Sequence, residues 1–233
     1  MRRFDREGLL NRLTRRAKAD DVRVEDLIAL AVLGDPSVVT VLEDLKRIHR
    51  WPDSGLIPGS SSRLVPLGRW CFYVCEYLRQ GCERMTELAL DARERALSRQ
   101  DGLGDNGGFA LGILEEIKTV ESFRAVIGIA RSVMASPTFN VEMAVKCAQS
   151  LNLLNLAKPP IDLGSEDRAD AREFLHAMLE EDLPTAQLGI VYCALRGVGD
   201  STSILLLCKR PPLPDHWSGV EKQAIRSIRK RLS

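Results

Sequence analysis

Four groups of residues have types and spacings that could support chemistry. Cys71, Cys75 and Cys82 lie at i, i+4 and i+11, on one face of a helix, and three thiolates could begin a metal site. The paired short spacing of a zinc site is missing and no histidine stands nearby in sequence, so the expectation is buried, reduced thiols with no metal. The chain has three histidines, His49, His176 and His216. His176 could meet Cys147 or Cys193 in space as base and nucleophile, but no local signature accompanies it, and a helix-surface histidine is the expected role. Gly102-Leu103-Gly104-Asp105-Asn106-Gly107-Gly108 is glycine-rich, yet it lacks the Lys-Ser/Thr ending of a phosphate loop and no strand precedes it. The acid pairs Glu115-Glu116 and Glu180-Glu181-Asp182 fall on helical stretches, where a solvated face explains them better than acid–base work. The reading is therefore of a chain with no catalytic residues and no cofactor.

The most informative charged group is basic. Lys222, Arg226, Arg229, Lys230 and Arg231 lie on a final helix whose other face carries Ala224, Ile225, Ile228 and Leu232. Such a helix is either a terminal cap with a polar outer face or a contact surface for an acidic or phosphate-bearing partner. The five cations are the candidate contact surface. Charge is uneven along the chain. Residues 1–23 carry eight bases against four acids, and residues 209–233 carry seven bases against two. With an overall net charge of +1, the middle is acidic. Basic ends around an acidic body admit a partner of either sign.

The elements that must position these residues are helical. The 233 residues are 45% hydrophobic and 28% charged, a globular composition with enough chain for a core that needs no disulfide or metal. No apolar run approaches the length of a membrane helix, and no apolar segment follows Met1-Arg2-Arg3, so the expected compartment is the cytoplasm. Apolar residues recur at helical spacing in Val24–Leu33, Val38–Ile48, about Gly68 to Arg99, Phe109–Ile117, Phe123–Met134, a stretch opened by Pro137, Glu166–Glu181 behind a Ser165 cap, a stretch opened by Pro184, and Gly219–Leu232. About ten helices are expected in one domain over residues 1–233, with a possible subdivision at the Pro-, Gly- and Ser-rich segment 51–66. Val38–Leu42 and Ile204–Leu207 have some strand character but no hairpin turn beside them.

Three segments share a form: an apolar helix, a short Gly/Asp turn, and a second apolar helix. Leu33-Gly34-Asp35-Pro36, Ile117 before Val120–Ile129, and Val198-Gly199-Asp200 mark the turns, and Leu33, Ile117 and Val198 lie 84 and 81 residues apart. Glycine is expected to close the first helix in a left-handed cap and aspartate to open the second. These turns resemble those of HEAT repeats, and the spacing is about twice a HEAT period of roughly 40–47 residues. The resemblance implies an all-α solenoid of about five irregular helical hairpins. It also implies a non-catalytic module that binds another protein, such as an adaptor or an immunity protein masking a client. Nucleic-acid binding of the kind seen in HEAT-like DNA glycosylases is the alternative. The acidic body and three scattered tryptophans, at 51, 70 and 217, argue against it. A subunit of a larger complex is a third possibility, which an exposed apolar patch would mark.

Overall fold

The computed structural model describes residues 6–18, 22–34, 36, 38–48, 64–98, 107–214 and 217–233. These form eleven α-helices and, among the described residues, no strand. The helices are α1 (Arg6–Lys18), α2 (Val24–Leu33), α3 (Val38–Ile48), α4 (Leu64–Ser98), α5 (Gly108–Ile117), α6 (Val120–Met134), α7 (Val141–Asn155), α8 (Ser165–Glu180), α9 (Thr185–Val198), α10 (Ser201–Lys209) and α11 (Ser218–Leu232). No helix among the described residues is long and apolar enough to cross a membrane. Both stretches of strand character are helical, in α3 and α10, where Leu42 and Leu207 are fully buried.

The chain divides into two compact units, Met1–Glu87 and Leu88–Ser233, with the boundary inside α4. In the first unit α1 packs on α2. α3 meets the N-terminal part of α4 through the Cys71 thiol, 3.5 Å from the Leu42 carbonyl, and through an ion pair between Arg79 and Glu43. α4 breaks at Gly81, where φ is 70° and ψ −154°, a backbone shape that glycine alone adopts without strain. The apolar stripe is continuous across this point, which conceals the break in the sequence.

The second unit holds α5 to α11. α7 packs against α5, α6 and α9; α9 packs against α7, α8 and α11; α8 also packs against α6 and α10. Large apolar side chains fill these contacts, including Ile113, Phe123, Ile129, Met143, Leu151, Leu175 and Tyr192, each fully buried. Burial on this scale, at about 25 cal/mol per Å² of apolar surface, holds together helices that are individually too short to be stable in water.

The helix ends explain where the sequence pattern holds and where it shifts. Leu33, Ile117 and Val198 are each the last residue of a helix, α2, α5 and α9. Gly34 follows in the left-handed region at φ 65°, as expected of a glycine cap. After α5 that conformation is taken by Lys118, at φ 56°. Gly199 departs from expectation. It is extended, at φ −58° and ψ 161°, and an added Cβ would sit 2.7 Å from Ile228 Cδ1. Its small size serves the approach of α11 and not a left-handed turn. Asp200 caps α10 as expected, its Oδ1 accepting the Ser203 N–H at 3.0 Å, while the Asp35 cap lies outside the described residues.

Two predicted helix starts move. α7 is opened by Asn140, whose Oδ1 accepts the Met143 N–H at 3.0 Å, leaving Pro137 in the preceding loop. Asparagine offers a side-chain acceptor that proline lacks. In α8 the cap position is Gly164 and Ser165 is the first helical residue; Asp167 reaches back to accept the Gly164 N–H at 3.2 Å.

Candidate functional site

α11 is fixed by its inner face. Ala224 and Ile228 are fully buried, and α9 supplies the surface they pack on. Two glycines of that surface permit the approach: a Cβ at Gly189 would lie 2.7 Å from the Trp217 ring, and one at Gly199 would collide with Ile228. With 3.6 residues per turn, burying positions 224 and 228 sends positions 222, 226 and 229 to the opposite side. Lys222, Arg226, Arg229 and Lys230 are exposed there. Lys222, Ile225, Arg226 and Arg229 line a surface groove of about 420 Å³. Leu232, four residues after Ile228, is 55% exposed at the end of the helix.

Most arginines elsewhere in the second unit are engaged. Arg124 meets Asp167 at 2.7 Å, Arg131 meets Asp170 at 2.5 Å, Arg172 meets Asp200 at 3.2 Å, and Arg93 donates to Ser136 Oγ at 2.6 Å. Among the described residues, Lys222, Arg226, Arg229 and Lys230 have no carboxylate within ion-pairing distance. The single acid of α11, Glu221, sits half-buried toward Tyr192 on the inner side. Three of these cations cluster toward the C-terminal half of the helix, where the backbone dipole favours positive charge.

Arg231 differs from its neighbours. Its guanidinium turns back to α9, donating from Nη1 to the Arg196 carbonyl at 2.7 Å and from Nη2 to the Gly199 carbonyl. Arg172 of α8 donates to the Val198 carbonyl of the same turn at 3.0 Å. Two arginines thus satisfy the carbonyls that the end of α9 leaves without helical partners. Desolvation, then the proximity of Arg168 and Arg172, lowers the Arg231 pKa from the ordinary arginine value. Of the five basic residues singled out in sequence, four form the outward face and one is a structural cap. Position 231, three residues after Ile228 and seven after Ala224, falls on the inner face at helical spacing, which is what turns Arg231 toward α9.

The other chemical candidates resolve into packing and capping. Cys71 and Cys75 come together as their spacing predicts; the neighbouring thiol and burial push the Cys71 thiol up, and the proximity of Cys71 pulls Cys75 down. Both are buried, Cys82 is half-buried, and no group of three metal-binding side chains occurs among the described residues. His176 meets neither Cys147 nor Cys193 in a hydrogen bond. Its Nε2 lies 2.7 Å from Ser203 Oγ, joining α8 to α10. Cys147 is fully buried and its thiol is pushed up to about 12. Ser203 is also fully buried and engaged with Asp200, so the trio is a capping cluster and lacks an accessible nucleophile.

Glu115 and Glu116 diverge. Glu115 accepts from Ser150 Oγ at 2.6 Å and is raised by burial, whereas exposed Glu116 pairs with Lys118 at 3.3 Å. They share no site. The glycine-rich loop is described only at Gly107 and Gly108, the N-terminal end of α5, and His49 and His216 lie outside the described residues.

Sequence reading missed a groove of about 440 Å³ between α6 and α8, lined by Arg124, Ile127, Gly128, Arg131, Glu166, Asp167 and Asp170. Its walls are the Arg124–Asp167 and Arg131–Asp170 pairs, joined across a loop and a helix where no local spacing reveals them. Its floor is Gly128, where nothing lies within 4 Å of an added Cβ. No protein-family model, curated protein or solved structure matches the chain.

Proposed function

We propose that this chain is a non-catalytic protein-binding module whose second unit is a stack of HEAT-like helical hairpins. The packing order supports the stack: α5, α7, α9 and α11 follow one another in contact, as do α6, α8 and α10. Helices alternating between two layers in this way extend a surface along the stacking direction, and macromolecular recognition is the usual use of such a surface. An adaptor, or an immunity protein that masks a client, fits a chain of this size. This functional step is drawn from architecture and surface chemistry, since fold alone does not dictate function.

The observation that carries the reading is the outward face of α11, four cations with no carboxylate partner among the described residues, beside an apolar groove residue. Nucleic-acid binding would use the same cations. The rest of the second unit disfavours it: residues 88–208 carry 11 Lys/Arg against 17 Asp/Glu, so a duplex laid along the unit meets repulsion. Affinity capture from native lysate, with and without nuclease, separates the two. A protein recovered at fixed stoichiometry after nuclease treatment supports the module; recovery that vanishes with nuclease overturns it.

A further inference from the structure

We propose that the outward face of α11 docks an acidic, amphipathic segment of a partner protein. This rests on the protein-binding reading and names the class of partner.

Lys222, Arg226 and Arg229 stand at i, i+4 and i+7 along the exposed side of one helix. At 1.5 Å of rise per residue the line is about 10 Å long. Carboxylates placed one turn apart on a partner helix match that interval. The two guanidiniums offer forked donors that a carboxylate can accept in pairs, which an ammonium does not.

The line is not purely charged. Ile225 lies half-buried between the cations and Leu232 is 55% exposed beyond them. Apolar groups gain nothing from a phosphate backbone but gain from being covered by another apolar side chain. Cations interleaved with apolar residues at helical spacing therefore suit a segment that presents acids and apolar anchors together, the helix-in-groove mode of recognition. Such a segment also contacts α11 locally and need not run over the acidic body of the unit.

Docking here displaces no ion pair among the described residues. In the groove between α6 and α8 an acidic ligand would have to compete with Asp167 and Asp170 for Arg124 and Arg131. On α11 the cations face water, so the new contacts replace only hydration.

The test uses the full chain and a fluorescein-labelled peptide of Glu and Leu in amphipathic helical order, with binding read by anisotropy. A Lys/Leu peptide of the same design is the control, and a DNA duplex is the competitor. The Glu/Leu peptide is expected to bind and the Lys/Leu peptide not to. Arg226→Glu is expected to weaken binding by about tenfold or more, and Ile225→Ser by about threefold or more, with helix content unchanged by circular dichroism. Unchanged affinity in Arg226→Glu overturns the proposal, as does a loss there with none in Ile225→Ser, which would indicate charge attraction alone. A captured protein partner that ignores both substitutions overturns this inference and leaves the protein-binding reading standing. A duplex that displaces the peptide and binds more tightly overturns both.

Discussion

The Arg124 guanidinium grips the Asp167 carboxylate through two nitrogens, Nε to Oδ1 at 2.7 Å and Nη2 to Oδ2 at 3.3 Å, and so ties α6 to α8. The same carboxylate accepts the Gly164 N–H at the start of α8. Asp167 is 5% exposed, and the Arg124 contact, ahead of the backbone bond, holds its pKa below the usual carboxylate value. A depressed folded-state pKa contributes stability above the unfolded value of 3.8, and that stability is lost as pH falls below it. Asp167→Asn is expected to lower stability at neutral pH by about 2 kcal/mol and to flatten the acid limb of the stability curve. Urea denaturation of both proteins across the acid range checks both parts; parallel acid limbs would show that Asp167 contributes none of the pH dependence.

His176 should give a second pH dependence, nearer neutrality. Burial lowers its pKa below 6.5, against the raising effect of Asp200 and alongside the lowering effect of Arg172, while Ser203 engages its Nε2. The unfolded chain takes up the proton first, so stability is present above 6.5 and declines as pH falls toward the folded-state value. The melting temperature of the native chain should therefore fall more between about pH 8 and about pH 5 than that of His176→Gln. Equal falls would remove His176 from the account.

Gly128 and Gly107 should respond in opposite directions to alanine. Gly128 is inside α6 with open space where a Cβ would be, so alanine relieves the helix of glycine's entropy and is expected to stabilise by about 0.5–1 kcal/mol. Gly107 has φ +76°, and its Cβ would fall 2.7 Å from Met143 Cε and 3.1 Å from the Ala89 carbonyl oxygen. Alanine there is expected to cost about 1–3 kcal/mol. Thermal denaturation of the two variants decides the signs.

Arg231 and Arg226 should separate stability from surface. Arg231→Ala removes two donors from the end of α9 and is expected to cost about 1–2 kcal/mol. Arg226→Ala removes an exposed cation with no carboxylate partner among the described residues and is expected to stay within about 0.5 kcal/mol of the native chain. A large loss at Arg226 in chemical denaturation would mean that the outward face is structural.

How much of this was legible in the sequence follows from the range of each interaction. The period of the apolar residues marked the helical class and most boundaries, because Leu27, Leu111, Val126 and Leu195 are buried at the spacing a helix demands. Caps were legible where the capping side chain stands beside its helix, as at Asp200, and slipped where the pattern offered the wrong neighbour, as at Pro137 and Ser165. The N-terminal helix α1 was not anticipated, since its charged residues outnumber its apolar ones. The outward face of α11 was visible as a cluster, but the diversion of Arg231 into capping depends on carbonyls more than thirty positions away. The pairing of Arg124 with Asp167 is likewise a product of packing. The repeated turn at Leu33, Ile117 and Val198 marked three true helix ends, although the glycine that follows the last of them serves close packing.

The central claim is that the chain works by holding another protein. The most direct test is the composition and mass of what it holds: affinity capture from native lysate, nuclease treatment, and light scattering with mass spectrometry on the eluted species. The account predicts a particle whose mass equals the chain plus one protein at fixed stoichiometry, with no nucleic-acid absorbance. A chain that elutes alone once nuclease has acted, or that keeps a protected nucleic-acid fragment in place of a protein, would contradict it.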